Sequence, residues 1–135
     1  IIAISENHGY INNFKNINAK IELREDDYLV ILGNFINKGP NSYECLQYVQ
    51  SLLRRPNTFI LKGNHESLIH CYMANLEEST QLQDFLKKDY YQTLIHDFSK
   101  ESGVDLYTTD YSTFYEEISS RYKDEFDFLI GNGCV

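Results

Sequence analysis

The sequence predicts an α/β fold in which parallel strands alternate with helices. Three short apolar runs, residues 1–4, 29–32 and 59–61, have the β-branched or aromatic composition of buried strands. Each run is followed by a polar loop that contains glycine, and the stretches between the runs are long enough for helical crossovers. Such alternation is typical of a parallel sheet with right-handed connections.

The two crossover helices differ in how clearly the sequence predicts them. Apolar residues between Ile11 and Ile21 keep only rough helical spacing, whereas residues 42–54 carry a clear apolar stripe. Pro56 follows the second helix, and proline rarely continues a helix. The stripe consists of Cys45, Leu46, Val49, Leu52 and Leu53. The strands that these helices join are predicted at 1–5, 27–32 and 57–61.

After Glu66 the sequence predicts helices only. The helix that begins in the preceding loop is expected to continue to residue 76. Thr113 and Glu116 have the spacing of a capping box, which predicts a helix start there. Further short helices are predicted at 80–88, 90–101, 112–120 and 121–130.

Length and composition bound the organisation and the function classes. The 135 residues predict a single domain, 1–135, with an α/β core at 1–66 and a helical segment at 67–130. A net charge of −8 argues against direct nucleic-acid binding, which depends on Lys and Arg. No apolar run reaches membrane-spanning length, so no membrane association is predicted. Three widely spaced cysteines without a Cys-x-x-Cys indicate neither a zinc site nor a disulfide framework, and we expect a cytoplasmic setting.

Three polar motifs follow the three predicted strands. The first is Glu-Asn-His-Gly at residues 6–9, and the second is Gly-Asn-Phe-Ile-Asn-Lys-Gly-Pro at residues 33–40. The third is Gly-Asn-His-Glu at residues 63–66. Ligands of α/β proteins gather beyond the carboxyl ends of the strands, so we expect the three motifs to lie together and to carry the chemistry.

In their order and placement, the motifs resemble the signatures of the calcineurin-like metallophosphoesterases. Those signatures are Asp-x-His-Gly, Gly-Asp-x-x-Asp-Arg-Gly-Pro and Gly-Asn-His-Glu, and the third is matched without change. Glu6 stands in the first Asp place, Asn34 and Asn37 replace both Asp residues of the second signature, and Lys38 replaces its Arg. The bacterial Ser/Thr protein phosphatases and the symmetrical diadenosine tetraphosphatases are similar members of this family.

The resemblance implies a fold and a metal site. The fold would be the N-terminal half of a metallophosphoesterase, βαβαβ, followed by a helical insertion. In the family, two metal ions clamp the oxygens of a phosphoryl displacement. Carried over to this sequence, Glu6, His8 and Asn34 would hold the first ion, and Asn34 with Asn64 would hold the second. Two further histidine ligands come, in the family, from a second half of the fold, which is expected to be missing here.

The resemblance also implies two catalytic groups. His65 corresponds to the histidine that protonates the leaving group. Lys38 corresponds to the arginine that grips the phosphate, although lysine would do so as a point charge and not as a fork. With the metal ligands altered, both groups are expected to be vestigial.

The charge of the implied metal site argues against catalysis. Two cations held close together need anionic bridging ligands to offset their repulsion, and Asn34 offers a neutral amide. The ligand positions at Glu6, His8, Asn34 and Asn64 are therefore expected to be vestigial and empty. No cofactor is expected, and manganese or a similar divalent ion would be needed only by an active enzyme.

Local structure offers another explanation for each motif residue. His8 is either a helix-entry histidine or a vestigial ligand, and Asn34 and Asn37 are natural turn residues, which we favour over ligation. The helix that follows the third motif would be capped or braced by its Asn and His, and Lys38 would be a solvated turn residue. The tyrosines at 72, 90, 91, 107, 111, 115 and 122 are either packing residues or a partner surface.

Three hypotheses about function follow. The main one is a catalytically degenerate metallophosphatase-like protein that binds a protein partner or a second copy, as a regulator or inhibitor. A nucleic-acid-binding or defence protein is one partner class suggested by the small size and the acidic charge. The alternative is a weak or partner-completed metal-dependent phosphoesterase, similar to a Ser/Thr protein phosphatase. The third is an inactivated relic without an independent role.

Overall fold

Three parallel strands form the sheet of this protein. The structure is a computed structural model that describes residues 1–73 and 92–132. The strands are β1 (Ile2–Ile4), β2 (Leu29–Ile31) and β3 (Thr58–Ile60), and their order in the sheet is β1-β2-β3. The predicted α/β class with parallel strands is confirmed. Each strand is shorter than predicted.

Helices fill both crossovers and the rest of the described chain. The first crossover contains α1 (Ile11–Lys20) and the second contains α2 (Ser42–Leu52). After β3 come α3 (Asn64–Met73), α4 (Leu94–Ser102), α5 (Tyr111–Arg121), α6 (Lys123–Asp127) and a π-helical turn (Phe128–Asn132). The helix predicted at 80–88 lies outside the described residues. In the two described ranges, no helix has both the length and the hydropathy to cross a bilayer.

Side-chain caps determine where α4 and α5 begin. The hydroxyl of Thr93 accepts the N–H of His96 at 3.3 Å, and His96 Nδ1 accepts the N–H of Thr93 at 3.0 Å. This capping box was not predicted. The predicted box of Thr113 and Glu116 is wrong, because Asp110 caps α5 by accepting the N–H of Thr113 at 3.1 Å. A short carboxylate just before the helix satisfies that amide, so the N-cap is Asp110, three residues before Thr113.

One face of the sheet packs into the hydrophobic core. Ile4, Leu29, Ile31 and Ile60 are buried there. They belong to one cluster with residues from α1, α2 and the later helices, so the helices that follow the sheet extend the same core. The cluster includes Phe14, Cys45, Leu46, Val49, Ile69, Leu94, Phe98, Phe114, Ile118 and Phe126.

The opposite face of the sheet is apolar but exposed. The register places Ala3, Val30 and Phe59 side by side on it. Ala3 is exposed, Val30 is half-buried, and 53% of Phe59 is exposed. Tyr28 stacks on Phe59 with ring centres 6.2 Å apart. By strand alternation, two further exposed leucines belong to the same face. We call this surface the open face, and it consists of Ala3, Tyr28, Val30, Leu32, Phe59 and Leu61.

The described tyrosines divide between core and surface. Tyr122 is buried and stacks on Phe98 with ring centres 3.9 Å apart. Tyr72 is also buried and lies 5.7 Å from the ring of Tyr115. Tyr107, by contrast, is 72% exposed. The packing explanation therefore holds for Tyr72 and Tyr122, while the tyrosines at 90 and 91 lie outside the described residues.

Candidate metal centre

The first two motif loops lie side by side and are joined through their main chains. The N–H of His8 donates to the carbonyl of Asn34 at 2.9 Å, and the N–H of Gly9 donates to Phe35 at 2.9 Å. The carbonyl of His8 accepts the N–H of Gly39 at 2.7 Å. Parallel strands bring their carboxyl ends to one edge, and these hydrogen bonds then fix one loop against the other.

Two glycines allow the second and third loops to touch. Gly33 has φ +93°, and a Cβ at this position would overlap the main chain of Gly63. A Cβ on Gly63 would in turn overlap the side chain and the backbone nitrogen of Asn34. The loops therefore approach more closely than side chains at these two positions would permit.

The contact between the loops brings Glu6, His8 and Asn34 together. Glu6 Oε2 lies 2.7 Å from His8 Nε2, and Asn34 Nδ2 donates to Glu6 Oε1 at 2.8 Å. The other end of the Asn34 amide, Oδ1, accepts the main-chain N–H of His65 at 3.2 Å. The hydrogen bonds from Asn34 and then His8 lower the pKa of Glu6, and desolvation opposes this effect. Glu6 is therefore an anion at neutral pH.

Left-handed backbone is concentrated in these loops. Glu6, His8, Asn34, Asn37 and Lys38 have φ between 45° and 79°. Residues other than glycine rarely adopt this conformation, although Asn does so more readily than most. Both asparagines are thus turn residues, as the sequence suggested, but their side chains also bond to other loops. Backbone strain of this kind often accompanies functional sites.

A buried carboxylate that the sequence analysis did not single out organises the second loop. Glu66 is fully buried, and its carboxylate accepts the N–H groups of Asn34 at 2.7 Å, Gly63 at 2.8 Å and Phe35 at 3.0 Å. Burial raises the pKa of Glu66, and these amide donors oppose the rise. Its position three residues after Gly63, at the start of α3, has the spacing of a capping box, which could have revealed the contact with Gly63 but not those with Asn34 and Phe35.

His65 lies inside the same group of loops. Only 3% of it is exposed, and its ring meets the ring of His8 edge to face with centres 5.0 Å apart. Its Nδ1 lies 3.3 Å from Asn37 Nδ2. Burial, with smaller contributions from the nearby His8 and Lys38, lowers the pKa of His65 to about 4. His65 is therefore a neutral ring at physiological pH.

Lys38 and Asn64 stand at the exposed rim of the site. The main chain of Lys38 pairs with Gln92 in an isolated antiparallel bridge, which ties the second loop to the segment before α4. Asn64 is the first residue of α3, and the preceding residue, Gly63, accepts the first helical hydrogen bond from Ser67. Asn64 is thus not the N-cap that the sequence suggested. The predicted residues that the structure places in direct contact are Glu6, His8, Asn34 and His65.

Two other histidines lie in different surroundings. His70, on α3, has its Nδ1 3.5 Å from Lys62 Nζ, and His96 caps α4. Both have local structural roles. In the part of the chain that the structure describes, no three side chains of His, Cys, Asp or Glu converge in a group that could hold a metal ion.

The sequence was compared with models of known protein families and with curated proteins. A family model described as calcineurin-like phosphoesterase matches residues 1–132. A symmetrical bis(5'-nucleosyl)-tetraphosphatase of Wigglesworthia glossinidia brevipalpis is 30% identical over 96 residues, which cover 68% of this chain and 35% of the relative. The enzyme of the same name from Buchnera aphidicola subsp. Baizongia pistaciae is 31% identical over 102 residues, 73% of this chain and 36% of the relative. The chain thus spans about a third of the length of these relatives.

These matches correct one expectation. The matched family and these tetraphosphatases depend on divalent metal ions, so the expectation that no cofactor is needed is wrong. Although Asn34 is neutral, Glu6 remains at the site as an anion that can offset the charge of a cation.

The residues present supply two ligands that suit one divalent ion. Glu6 offers a charged carboxylate and His8 an imidazole nitrogen, and the two atoms already lie 2.7 Å apart. Carboxylate oxygen and imidazole nitrogen are ordinary ligands of manganese and zinc. Asn34 directs its amide nitrogen at Glu6 and its oxygen at His65, so it would have to turn before it could ligate a metal.

Proposed function

Because the chain belongs to the calcineurin-like phosphoesterase family, we propose that it contributes to metal-dependent hydrolysis of a phosphate ester or anhydride. The observation that carries the proposal is the set of Glu6, His8 and Asn34, held in mutual hydrogen-bond contact at the carboxyl edge of the sheet. A charged carboxylate and an imidazole at this edge are the groups that a divalent ion needs.

Each residue of the site has a defined role in this proposal. Glu6 and His8 would hold one divalent ion, which supplies positive charge to polarise a phosphoryl oxygen. Lys38, exposed at the rim, would attract the phosphate as a point charge. Glu66 holds the second loop in place through its N–H groups. His65 is neutral at physiological pH, so it would donate a hydrogen bond and not a proton from an imidazolium.

The names of the relatives support one substrate class. They are named symmetrical bis(5'-nucleosyl)-tetraphosphatases, so we propose a nucleoside polyphosphate as the substrate, with a phosphoanhydride as the bond that is cleaved. Since the chain spans about a third of their length, we propose weak activity for the chain alone and the full activity of a whole relative only in combination with further polypeptide.

Manganese binding followed by an activity assay tests this proposal. We expect calorimetry to show one manganese ion bound with a dissociation constant of roughly a millimolar, the weak end for oxygen-ligand sites. Glu6→Gln should abolish this binding, because it removes the charge of the site. Glu22→Gln is the matched control, since Glu22 is also an exposed glutamate with positive φ but follows α1, away from the motif loops.

Formation of nucleoside diphosphate from a dinucleoside tetraphosphate would then be measured with and without manganese. Manganese-dependent formation that Glu6→Gln removes and Glu22→Gln retains is the expected result. If the unaltered chain binds no manganese, or if Glu6→Gln binds it equally well, the proposed site is wrong.

A second candidate function is favoured by the open face. Parallel strands are usually buried on both faces, and an apolar surface of more than a few hundred Å² commonly marks an interaction site. We propose that this surface binds another polypeptide, either a partner protein or a second copy, and that the acidic chain does not bind nucleic acid directly. Light scattering on the purified protein tests the self-association arm, and a stable monomer at high concentration would exclude it.

A further inference from the structure

Asn37 is a fully buried side chain between the third motif and α4. Its main-chain N–H donates to the hydroxyl of Ser42 at 2.8 Å. Its side-chain oxygen accepts the main-chain N–H of Leu94, the first residue of α4, at 2.9 Å. Its side-chain nitrogen lies 3.3 Å from Nδ1 of His65. The main-chain N–H and both polar atoms of the side chain are therefore engaged.

The contact with Leu94 fixes the orientation of the Asn37 amide. A main-chain N–H can only donate, so the group that faces Leu94 must be the oxygen. The amide nitrogen must then face His65, and this nitrogen can also only donate. Consequently Nδ1 of His65 has to act as the acceptor, which means that it carries no proton. A proton on Nδ1 would set two donors against each other in a buried place.

We propose that Asn37 is a positioning residue that locks His65 in the tautomer with its proton on Nε2. The ring that carries this proton lies beside His8, so the lock supplies a neutral N–H donor next to the Glu6–His8 pair. Use of that donor on a phosphate oxygen rests on the proposed function. The tautomer itself follows from the hydrogen bonds alone.

The family signature has Asp at the position of Asn37, and this difference changes which nitrogen of His65 carries the proton. A carboxylate at position 37 could accept from Leu94 with one oxygen and from a protonated Nδ1 with the other. The amide permits only the reverse proton arrangement at the ring. The Asn found here therefore changes the chemical character of His65, from a histidine that a carboxylate would keep protonated at Nδ1 to one that accepts there.

Nitrogen NMR of the unaltered protein tests the proposal directly. Protein labelled with ¹⁵N-histidine would be studied at pH 7.5, with the His65 signals assigned by their loss in His65→Gln. We expect an unprotonated Nδ1 and a protonated Nε2. A ring protonated at Nδ1, or at both nitrogens, would overturn the proposal. The result does not depend on hydrolytic activity, so an inactive protein with the expected tautomer would count against the proposed function alone.

A pair of variants separates the lock from general effects of charge. Asn37→Asp keeps an acceptor for Leu94 and replaces the donor that faces His65, so the proton should move to Nδ1. Asn34→Asp adds the same charge to the same loop, but its side chain meets the main-chain N–H of His65 and not the ring. We expect this control to retain the Nε2 proton. An unchanged tautomer in Asn37→Asp, or the same change in both variants, would refute the lock.

Discussion

On one face of the sheet, Leu29, Ile31 and Ile60 are almost wholly buried, whereas on the other face Val30 is half-buried and Phe59 is exposed. The same strands supply both sets of residues, and both sets are apolar. The difference therefore arises from what packs against the strands. The buried residues of the described helices join the cluster on the covered face.

Because of this difference, the covered face contributes to folding and the open face remains available for association. Apolar area that is removed from water on folding contributes to stability, at roughly 25 cal/mol per Å². The covered face provides that contribution, and the open face leaves its own contribution available for contact with another surface. Substitutions on the two faces should accordingly affect different properties of the protein.

The largest expected effect is the loss of stability when the covered face is truncated. Ile31→Ala should reduce the free energy of unfolding by about 3 kcal/mol, because it leaves a cavity at a fully buried position. Phe59→Ala, on the open face of the neighbouring strand, should reduce it by less than about 1 kcal/mol, although it removes more atoms. Urea denaturation measures both, and equal losses would show that the two faces are equally covered in solution.

A buried and an exposed glutamate can be compared in the same way, and the buried one lies at the carboxyl edge of the sheet. Glu66→Gln should reduce the free energy of unfolding by about 2 kcal/mol, because an NH₂ group would face main-chain donors that a carboxylate oxygen now accepts. Glu117→Gln, at an exposed site on α5, should change it by less than about 0.5 kcal/mol. A loss below about 0.5 kcal/mol for Glu66→Gln would contradict the bracing role.

A third prediction concerns pH and the contact between α2 and α4. Asp97 accepts the N–H of Tyr43 at 2.9 Å, and burial raises the pKa of Asp97 to about 6, with Glu44 adding to the rise and Lys100 opposing it. An acid whose pKa is higher in the folded state binds more protons when folded, so its contribution to stability falls as the pH rises between about 4 and 6.

Removal of this ionisable group should flatten the pH profile. Asp97→Asn should gain stability relative to the unaltered protein as the pH rises from 4 to 7, by on the order of 1 kcal/mol. The measurement is urea denaturation of both proteins across this range. A stability difference that is constant with pH would show that Asp97 titrates normally.

The smallest expected change in stability comes from a charge on the open face. Phe59→Lys should alter the free energy of unfolding by less than about 1 kcal/mol, because the new ammonium group remains in water. It should nevertheless reduce the fluorescence of a dye that binds exposed apolar surface. Ile17→Lys is the control, since Ile17 is similarly exposed, at 43%, but lies on α1. Equal reductions in both variants would argue against a distinct apolar surface at Phe59.

The strands and the grouping of the motif loops could be predicted from the sequence. Apolar runs that end in glycine-containing loops specify strands, and parallel strands must bring those loops to one edge. The first residues of α4 and α5 were harder to predict than the strands, because Thr93, Asp110 and Thr113 are all plausible caps. The choice among such caps depends on how the chain packs around them.

The face of the sheet that is covered could not be predicted, because β1 to β3 carry apolar residues on both faces. The role of Glu66 was equally hidden. Its carboxylate meets amides from two loops, and Asn34 precedes it by 32 positions. Such convergence is a property of the folded chain. For Asn37, the turn explanation was correct but incomplete, since the same side chain also bonds to His65 and Leu94.

The left-handed conformation of Asn34 and Asn37 has a consequence for how this edge can vary among sequences. Asn and Asp tolerate that conformation about equally well and have almost the same shape. The codons of the two amino acids differ by a single nucleotide. The charge of this edge can therefore change through point mutations at two positions while the path of the loop stays the same. The conformation of such a loop can therefore stay the same whether its charge is lost or gained.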